Sequence, residues 1–306
     1  MGELTAMGRV LIARAIRSTV RDGRYGLALL GCLLLTAVIA SAQSINKQFP
    51  TSPSPSFLLH NHNGKVTITG WDQSMVDIQG EPASDLMEVI MMGGDQKVTI
   101  QTHPKTDRVS SKESRLDFQV HVPRQASVRV ESERGDIQVE NLEGTVSIQG
   151  ISNAVTLSNV KGYITVRTED GPIVIQSSEG NINADSISGS MRLIHVNGSE
   201  VVANTNSGTI RYEGDFGDRG TYVLNNYSSP IEILASARAS FDITARAVIG
   251  LIESNLPFHP TPLANSFRRL SPKNYLQGRF NSGESTVRVT SYSGKILVRG
   301  FESSGQ

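Results

Sequence analysis

The chain has 306 residues, enough for one large domain or two small ones and for a sizeable core. Its 29 Lys and Arg balance 29 Asp and Glu, so no net field attracts nucleic acid or an acidic polymer, and no nucleic-acid partner is expected. The 28 Gly and scarce aromatics describe many short strands and tight turns rather than a helical bundle, and the single cysteine, Cys32, excludes an intramolecular disulfide.

At the N-terminus Arg9, Arg14, Arg17, Arg21 and Arg24 outnumber Glu3 and Asp22, and an apolar run from Leu27 to Ala40 comes directly after them. A basic flank before an apolar run is an export signal, here an N-terminal signal or anchor helix. Ala40-Ser41-Ala42 supplies the small residues a signal peptidase reads, which predicts cleavage before Gln43. The alternative is an uncleaved membrane anchor, because residues 25–42 reach the lower length limit for a bilayer span. Residues 1–42 are thus a signal peptide or signal anchor, and the rest is expected in the periplasm or at the cell surface. Leu29-Leu30-Gly31-Cys32 has the look of a lipoprotein signal, but Leu33-Leu34-Leu35 continues the apolar run where a polar mature start belongs. Residues 43–56, ending in Pro50-Thr51-Ser52-Pro53-Ser54-Pro55-Ser56, read as a semi-extended Pro/Ser-rich linker.

Residues 57–125 contain widely spaced strand patterns at 65–68, 76–78, 97–100 and 118–122, expected to cap one end of a regular array that begins at residue 126. The repeats are assigned to residues 126–254, and from residue 128 an apolar position recurs every nine residues: Val128, Ile137, Val146, Val155, Ile164, Ile173, Ile182, Met191. A second series two residues on, from Val130 and Val139 to Leu193, lies on the same strand face, since side chains alternate with period two. Turn residues keep the same beat, from Gly135, Gly144 and Asn153 to Gly198, with one extra residue slipping the register near Ser199–Gly208. A nine-residue unit cannot bury its one apolar face alone, so units must stack, most simply as two per coil. The predicted fold class is all-β: a repetitive β-solenoid of β-helix or β-roll type with a nine-residue period and irregular capping strands. An antiparallel meander closing as a sandwich or barrel satisfies the same alternation.

Residues 255–282 break the pattern and read as an irregular loop, with closing strands after it over 283–301. The loop concentrates Phe258, Phe267, Arg268, Arg269, Tyr275, Arg279 and Phe280, the residue types that interfaces favour, and is the expected partner-binding element. Its alternative role is to cover the last coil.

Other chemistry is sparse. His60 and His62 lie two apart on a strand, yet no third metal ligand accompanies them, and His103, His121, His195 and His259 are scattered singles. Asp136, Asp170, Glu179 and Asp185 share no repeated offset, so a calcium-binding roll is not expected. Arg134-Gly135-Asp136 is an integrin-type tripeptide whose glycine already serves as a repeat turn. Neither a nucleophile elbow nor a phosphate-cradling loop occurs, so no catalytic residue, metal or cofactor is assigned.

Three stretches, Asn63–Asp72, Val120–Val128 leading into Gly135–Val139, and Ser291–Val298, carry a resemblance covering most of residues 60–300. The chain resembles the bacterial β-strand-repeat proteins of unknown function often labelled "putative adhesin", a group that includes the LiaG-like envelope proteins. The resemblance implies stacked β-coils at the cell envelope and supplies no catalytic residues. The expected function is a non-catalytic, exported binding or scaffold module whose partner is an envelope protein or glycan. The alternatives are a carbohydrate-active β-helix enzyme and an accessory factor of an envelope-stress signalling system.

Overall fold

A computed structural model describes residues 44–259 and 273–301. The expected signal or anchor helix and Phe267, Arg268 and Arg269 lie outside the described residues. Within them the fold is all-β, with 21 strands hydrogen-bonded into one continuous, coiled sheet.

The chain begins with β1 (Ile45–Pro50), β2 (Ser56–Asn63), β3 (Val66–Trp71), β4 (Met75–Pro82), β5 (Met87–Gly93), β6 (Lys97–Pro104) and β7 (Leu116–Pro123). Two long strands come next, β8 (Ser127–Leu142) and β9 (Thr145–Asp170), which turn corners without leaving the extended conformation. Shorter strands then alternate between the two faces: β10 (Ile173–Gln176), β11 (Glu179–Ser186), β12 (Met191–Ile194), β13 (Asn197–Thr205), β14 (Ile210–Gly214), β15 (Thr221–Asn226) and β16 (Ile231–Ser236). The chain ends with β17 (Phe241–Ala247), β18 (Ile252–Ser254), β19 (Tyr275–Phe280), β20 (Ser285–Ser291) and β21 (Ile296–Phe301).

The nine-residue beat becomes one strand per repeat and two strands per coil. Val128 pairs in parallel with Val146, and Ile137 with Val155, so each rung lies on the one 18 residues away. Both apolar series point inward: Val128, Val130, Ile137, Val139, Val146 and Ile148 are all at most 1% exposed. Burying such side chains contributes about 1.5–3 kcal/mol each relative to exposure, and stacking covers each five-residue strand on its inner side. The offset grows from 18 residues (Ile164 with Ile182) to 19 (Ile182 with Val201) and then 21 (Val201 with Tyr222). The lengthened coils bury larger side chains: Tyr212 stacks on Phe216 at 4.5 Å, and Tyr222 and Phe241 close against the same Phe216 ring.

Corners set the stacking distance. The carbonyl of one corner lies where the next corner's Cβ belongs: a Cβ on Gly162 would fall 2.4 Å from the Gly144 oxygen, and one on Gly180 2.0 Å from the Gly162 oxygen. Gly162 and Gly180 also have φ of 129° and 132°, where a side chain is strained whatever the space. The opposite corner repeats the arrangement, with Gly189 over Gly171 and Gly208 over Gly189. That corner is also stitched by buried side chains. The oxygens of Ser186, Thr205, Asn226 and Ser291 accept from the backbone N–H three residues on, at 2.8, 3.1, 2.8 and 2.9 Å, so these buried polar groups are satisfied.

Rung order departs from chain order at both ends. On the first face β5 and β6 are succeeded by β2 and then β8, and on the second β3 lies between β7 and β8. The coil β2–β3 is therefore interior, where residues 57–125 were expected only to cap; the outer rungs are β5, β6, β4, β7 and β1. At the far end β20 lies between β15 and β17, and β21 between β16 and β18. The segment 283–301, expected to close the stack, is inserted one coil inside its end, because its Val287, Val289, Ile296 and Val298 need cover on both sides and are at most 1% exposed.

Two further segments differ from expectation. Ile45–Pro50, expected within a linker, pairs antiparallel with β4 and lays Ile45 and Phe49 against the core. As an outermost strand it tolerates Pro50, which has no N–H to donate. Tyr275–Phe280, expected within the irregular loop, pairs antiparallel with β17 as the last rung of the first face.

Stability should respond both to the corners and to the inserted coil. Gly180→Ala should lower stability by about 2 kcal/mol or more in urea unfolding, whereas Gly94→Ala, whose Cβ would meet open space, should change it by less than about 0.5 kcal/mol; equal midpoints would contradict the corner argument. A chain ending at residue 282 should lose hydrogen-exchange protection cooperatively across β15–β18, because removing β20 and β21 leaves an open slot inside the stack. Loss confined to β19 would mean that the inserted coil does not hold these rungs together.

Candidate binding groove

On the first face, the last outward position of each strand carries a polar side chain. Arg167, Asp185, Asn204, Asn225 and Thr290 stand opposite one another rung by rung. Asn225 donates to Asn204 Oδ1 at 2.9 Å, Asn204 donates to Asp185 Oδ1 at 2.8 Å, and Arg167 Nε reaches Asp185 Oδ2 at 3.4 Å. The result is an amide ladder with one internally neutralised charge pair.

Two positions further on, at the corner, side chains project outward as a wall. Here stand Ile151, Ile187, Tyr227, Tyr292 and Val248, all large apolar residues at least 42% exposed. Tyr227 and Tyr292 stack with ring centroids 4.7 Å apart and planes 3° from parallel. They are distant in sequence and meet because insertion of β20 makes Asn225–Asn226 the rung neighbours of Thr290–Ser291. Ladder and wall enclose a groove of about 780 Å³.

The groove continues past Gln149 and Gly150 into a second depression of about 520 Å³ containing His60, His62 and His103. His60 Nδ1 lies 2.8 Å from Glu131 Oε2, and His62 Nδ1 lies 3.0 Å from Glu133 Oε2. Among the described residues no three His, Cys, Asp or Glu converge in a metal-binding arrangement. From the Glu131 rung to the Thr290 rung there are six rung spacings, roughly 29 Å at about 4.8 Å each.

Of the residues expected to bind a partner, the described ones, Phe258, Tyr275, Arg279 and Phe280, do not line the groove. Phe280 is buried, and half-buried Phe258 packs edge-on to Phe241 at 5.9 Å and to Phe280 at 6.1 Å, so both cover the last rung. Exposed Arg279 forms a bidentate pair with Asp242, at 2.7 and 2.8 Å, and this guanidinium holds the Asp242 carboxyl below its usual range, partly offset by burial. Tyr275 donates to Gln277 at 2.8 Å. Of the integrin-type tripeptide, Arg134 and Asp136 are exposed, but Gly135 is a stacked corner at φ 112°. The strongest perturbation of a titratable group is structural too: burial drives the Tyr212 phenol well above its ordinary value, and its hydroxyl donates to the carbonyl of Val196 or Asp215, 3.0 and 2.8 Å away.

The groove residues escaped the sequence reading because Tyr227 and Tyr292 look like isolated aromatics until the rung order is known. One signal was available: the recurring Ser186-Ile-Ser-Gly189, Thr205-Asn-Ser-Gly208, Asn226-Tyr-Ser-Ser229 and Ser291-Tyr-Ser-Gly294 place those tyrosines at one and the same corner.

No curated protein matches the chain. Solved structures similar to it include one described as a "putative adhesin" from Bacteroides fragilis, with 10% identity, 85% of this chain and 98% of that chain covered, and a TM-score of 0.43. A "putative adhesin" from Parabacteroides merdae shows 9% identity, coverage of 85% and 97%, and a TM-score of 0.39. A "putative cell adhesion protein" from Clostridium sporogenes shows 9% identity, coverage of 85% and 100%, and a TM-score of 0.26. The family model described as Toastrack DUF4097 matches residues 53–299, which include all the strands of the stack except β1 and the end of β21. By that match the chain belongs to the Toastrack DUF4097 family.

Proposed function

We propose that this protein is an exported, non-enzymatic envelope module that uses the rigid β-stack to present the groove as a binding surface. The observation that carries the reading is the exposed Tyr227–Tyr292 stack beside the amide ladder. Large apolar side chains left half in solvent next to ordered polar groups are what recognition sites use. Export is supported by the Arg-rich start, the apolar run to Ala40 and the Ala40-Ser41-Ala42 sequence. A non-catalytic role is supported by how the groove's acids are engaged. Cleavage of a glycosidic bond uses a pair of carboxyl groups facing the bond, whereas among the groove's described acids Asp185 is bound by Arg167 and Asn204, Glu131 and Glu133 each face a histidine, and only Glu169 is left unengaged.

Immobilised envelope fragments should retain the full chain and retain Tyr227→Ala/Tyr292→Ala at least about fivefold less, a loss typical of removing a central aromatic anchor. Cell fractionation should recover the chain outside the cytosol. Equal retention of both forms, or a cytosolic chain, would overturn the proposal.

A further inference from the structure

We infer that the occupant of the groove is an extended, uncharged polysaccharide chain. The inference rests on the groove-binding reading and adds to it the class of ligand.

The groove is long and open along the stack, since its two depressions share Gln149 and Gly150. That shape suits a chain laid along the stacking axis. The two long sides differ in chemistry. On one, Asn204 and Asn225 present planar amides whose positions are set by the ladder; each Nδ2 uses one of its two hydrogens in the ladder, and Asn225 Oδ1 accepts from no group among the described residues. Neighbouring sugar hydroxyls, which donate and accept side by side, match such amides. On the other side, Tyr227, Tyr292 and Ile187 offer apolar surface. The C–H face of a pyranose ring is weakly positive and apolar, and it settles against an aromatic face, here the face of Tyr227 or Tyr292 turned away from their mutual stack. One ligand must therefore be hydroxyl-rich at its edges and apolar on its ring face, which is the description of a sugar.

Other classes of chain fit less well. A peptide added as a strand needs an unpaired sheet edge, and the groove lies over interior rungs whose backbones are already paired. An amphipathic helix needs a groove that is apolar on both sides, and here one long side is the Asn204–Asn225 amide ladder. Nucleic acids and acidic glycans need uncompensated cations, while Arg167 is paired with Asp185 and the chain's formal net charge is zero.

The test is calorimetric titration of the full chain with cellohexaose, N-acetylchitohexaose and mannohexaose, with polygalacturonate as the charged comparison. At least one neutral hexasaccharide should bind, its disaccharide should bind about tenfold more weakly or worse, and Tyr227→Ala/Tyr292→Ala should weaken the hexasaccharide by about tenfold or more. The double variant Tyr227→Phe/Tyr292→Phe, which keeps both rings, should bind within about threefold of the parent, and circular dichroism should show all forms equally folded. Binding by none of the neutral sugars at millimolar concentration, tighter binding of polygalacturonate, or sugar binding indifferent to loss of the tyrosines would each overturn the inference. If the sugars fail while envelope retention still depends on Tyr227 and Tyr292, only the ligand class is wrong. If retention is also indifferent to them, the groove reading falls with it.

Discussion

The structure depends on how closely one corner can approach the next. Strands in a sheet lie about 4.8 Å apart, and where the chain turns, the carbonyl of one coil occupies the space of the next coil's Cβ, as at Gly144, Gly162 and Gly180. Glycine at these positions lets the corners stack as tightly as the strands. Once the corners are in step, the rungs between them must be in register, and a register error of one residue would turn every apolar side chain outward. The core of Val, Ile and Leu then results from the corners as much as from its own hydrophobicity.

The same constraint positions the groove. A corner that repeats identically from coil to coil repeats its side chains too, so the residue beside each buried corner oxygen projects from one edge of the stack. Where that residue is Tyr227 or Tyr292 the edge becomes aromatic; where it is Glu133 or Glu169 it is polar. Recognition chemistry therefore changes along the axis while the backbone does not. The inserted coil matters most here, because it makes Tyr292 the rung neighbour of Tyr227. Fold and site share one cause, the pairing of β20 with β15.

Much of the fold was legible in the sequence. The beat from Val128 to Met191 marks the rungs, their inner faces and the coil of two strands, because a period is a local property and stacking converts it directly into register. Pairing order is not local. Nothing in the strand Thr286–Thr290 says that it belongs between Thr221–Asn226 and Phe241–Ala247, and neighbours in sequence are the usual neighbours in space. The groove depends on the same non-local pairing. The aromatic and arginine content of 255–282 attracted attention, but Phe258 and Phe280 turn inward to cover a rung, while the exposed tyrosines were separated by the very segment that the fold rearranges. Proline misled at Pro50, where an outermost strand accepts what an interior strand would refuse.

The most direct test of the inserted coil is disulfide formation between outward residues of adjacent rungs, in a chain whose native thiol is removed by Cys32→Ser. Val223 stands opposite Arg288, and Arg288 opposite Thr244. Val223→Cys with Arg288→Cys should oxidise readily. Val223→Cys with Thr244→Cys, two rungs or about 9.6 Å apart, should stay reduced, since a disulfide spans at most about 7 Å between Cα atoms. The reverse pattern, with 223 linked to 244 and not to 288, would mean that the coils stack in chain order, and both the inserted coil and the tyrosine wall would be wrong.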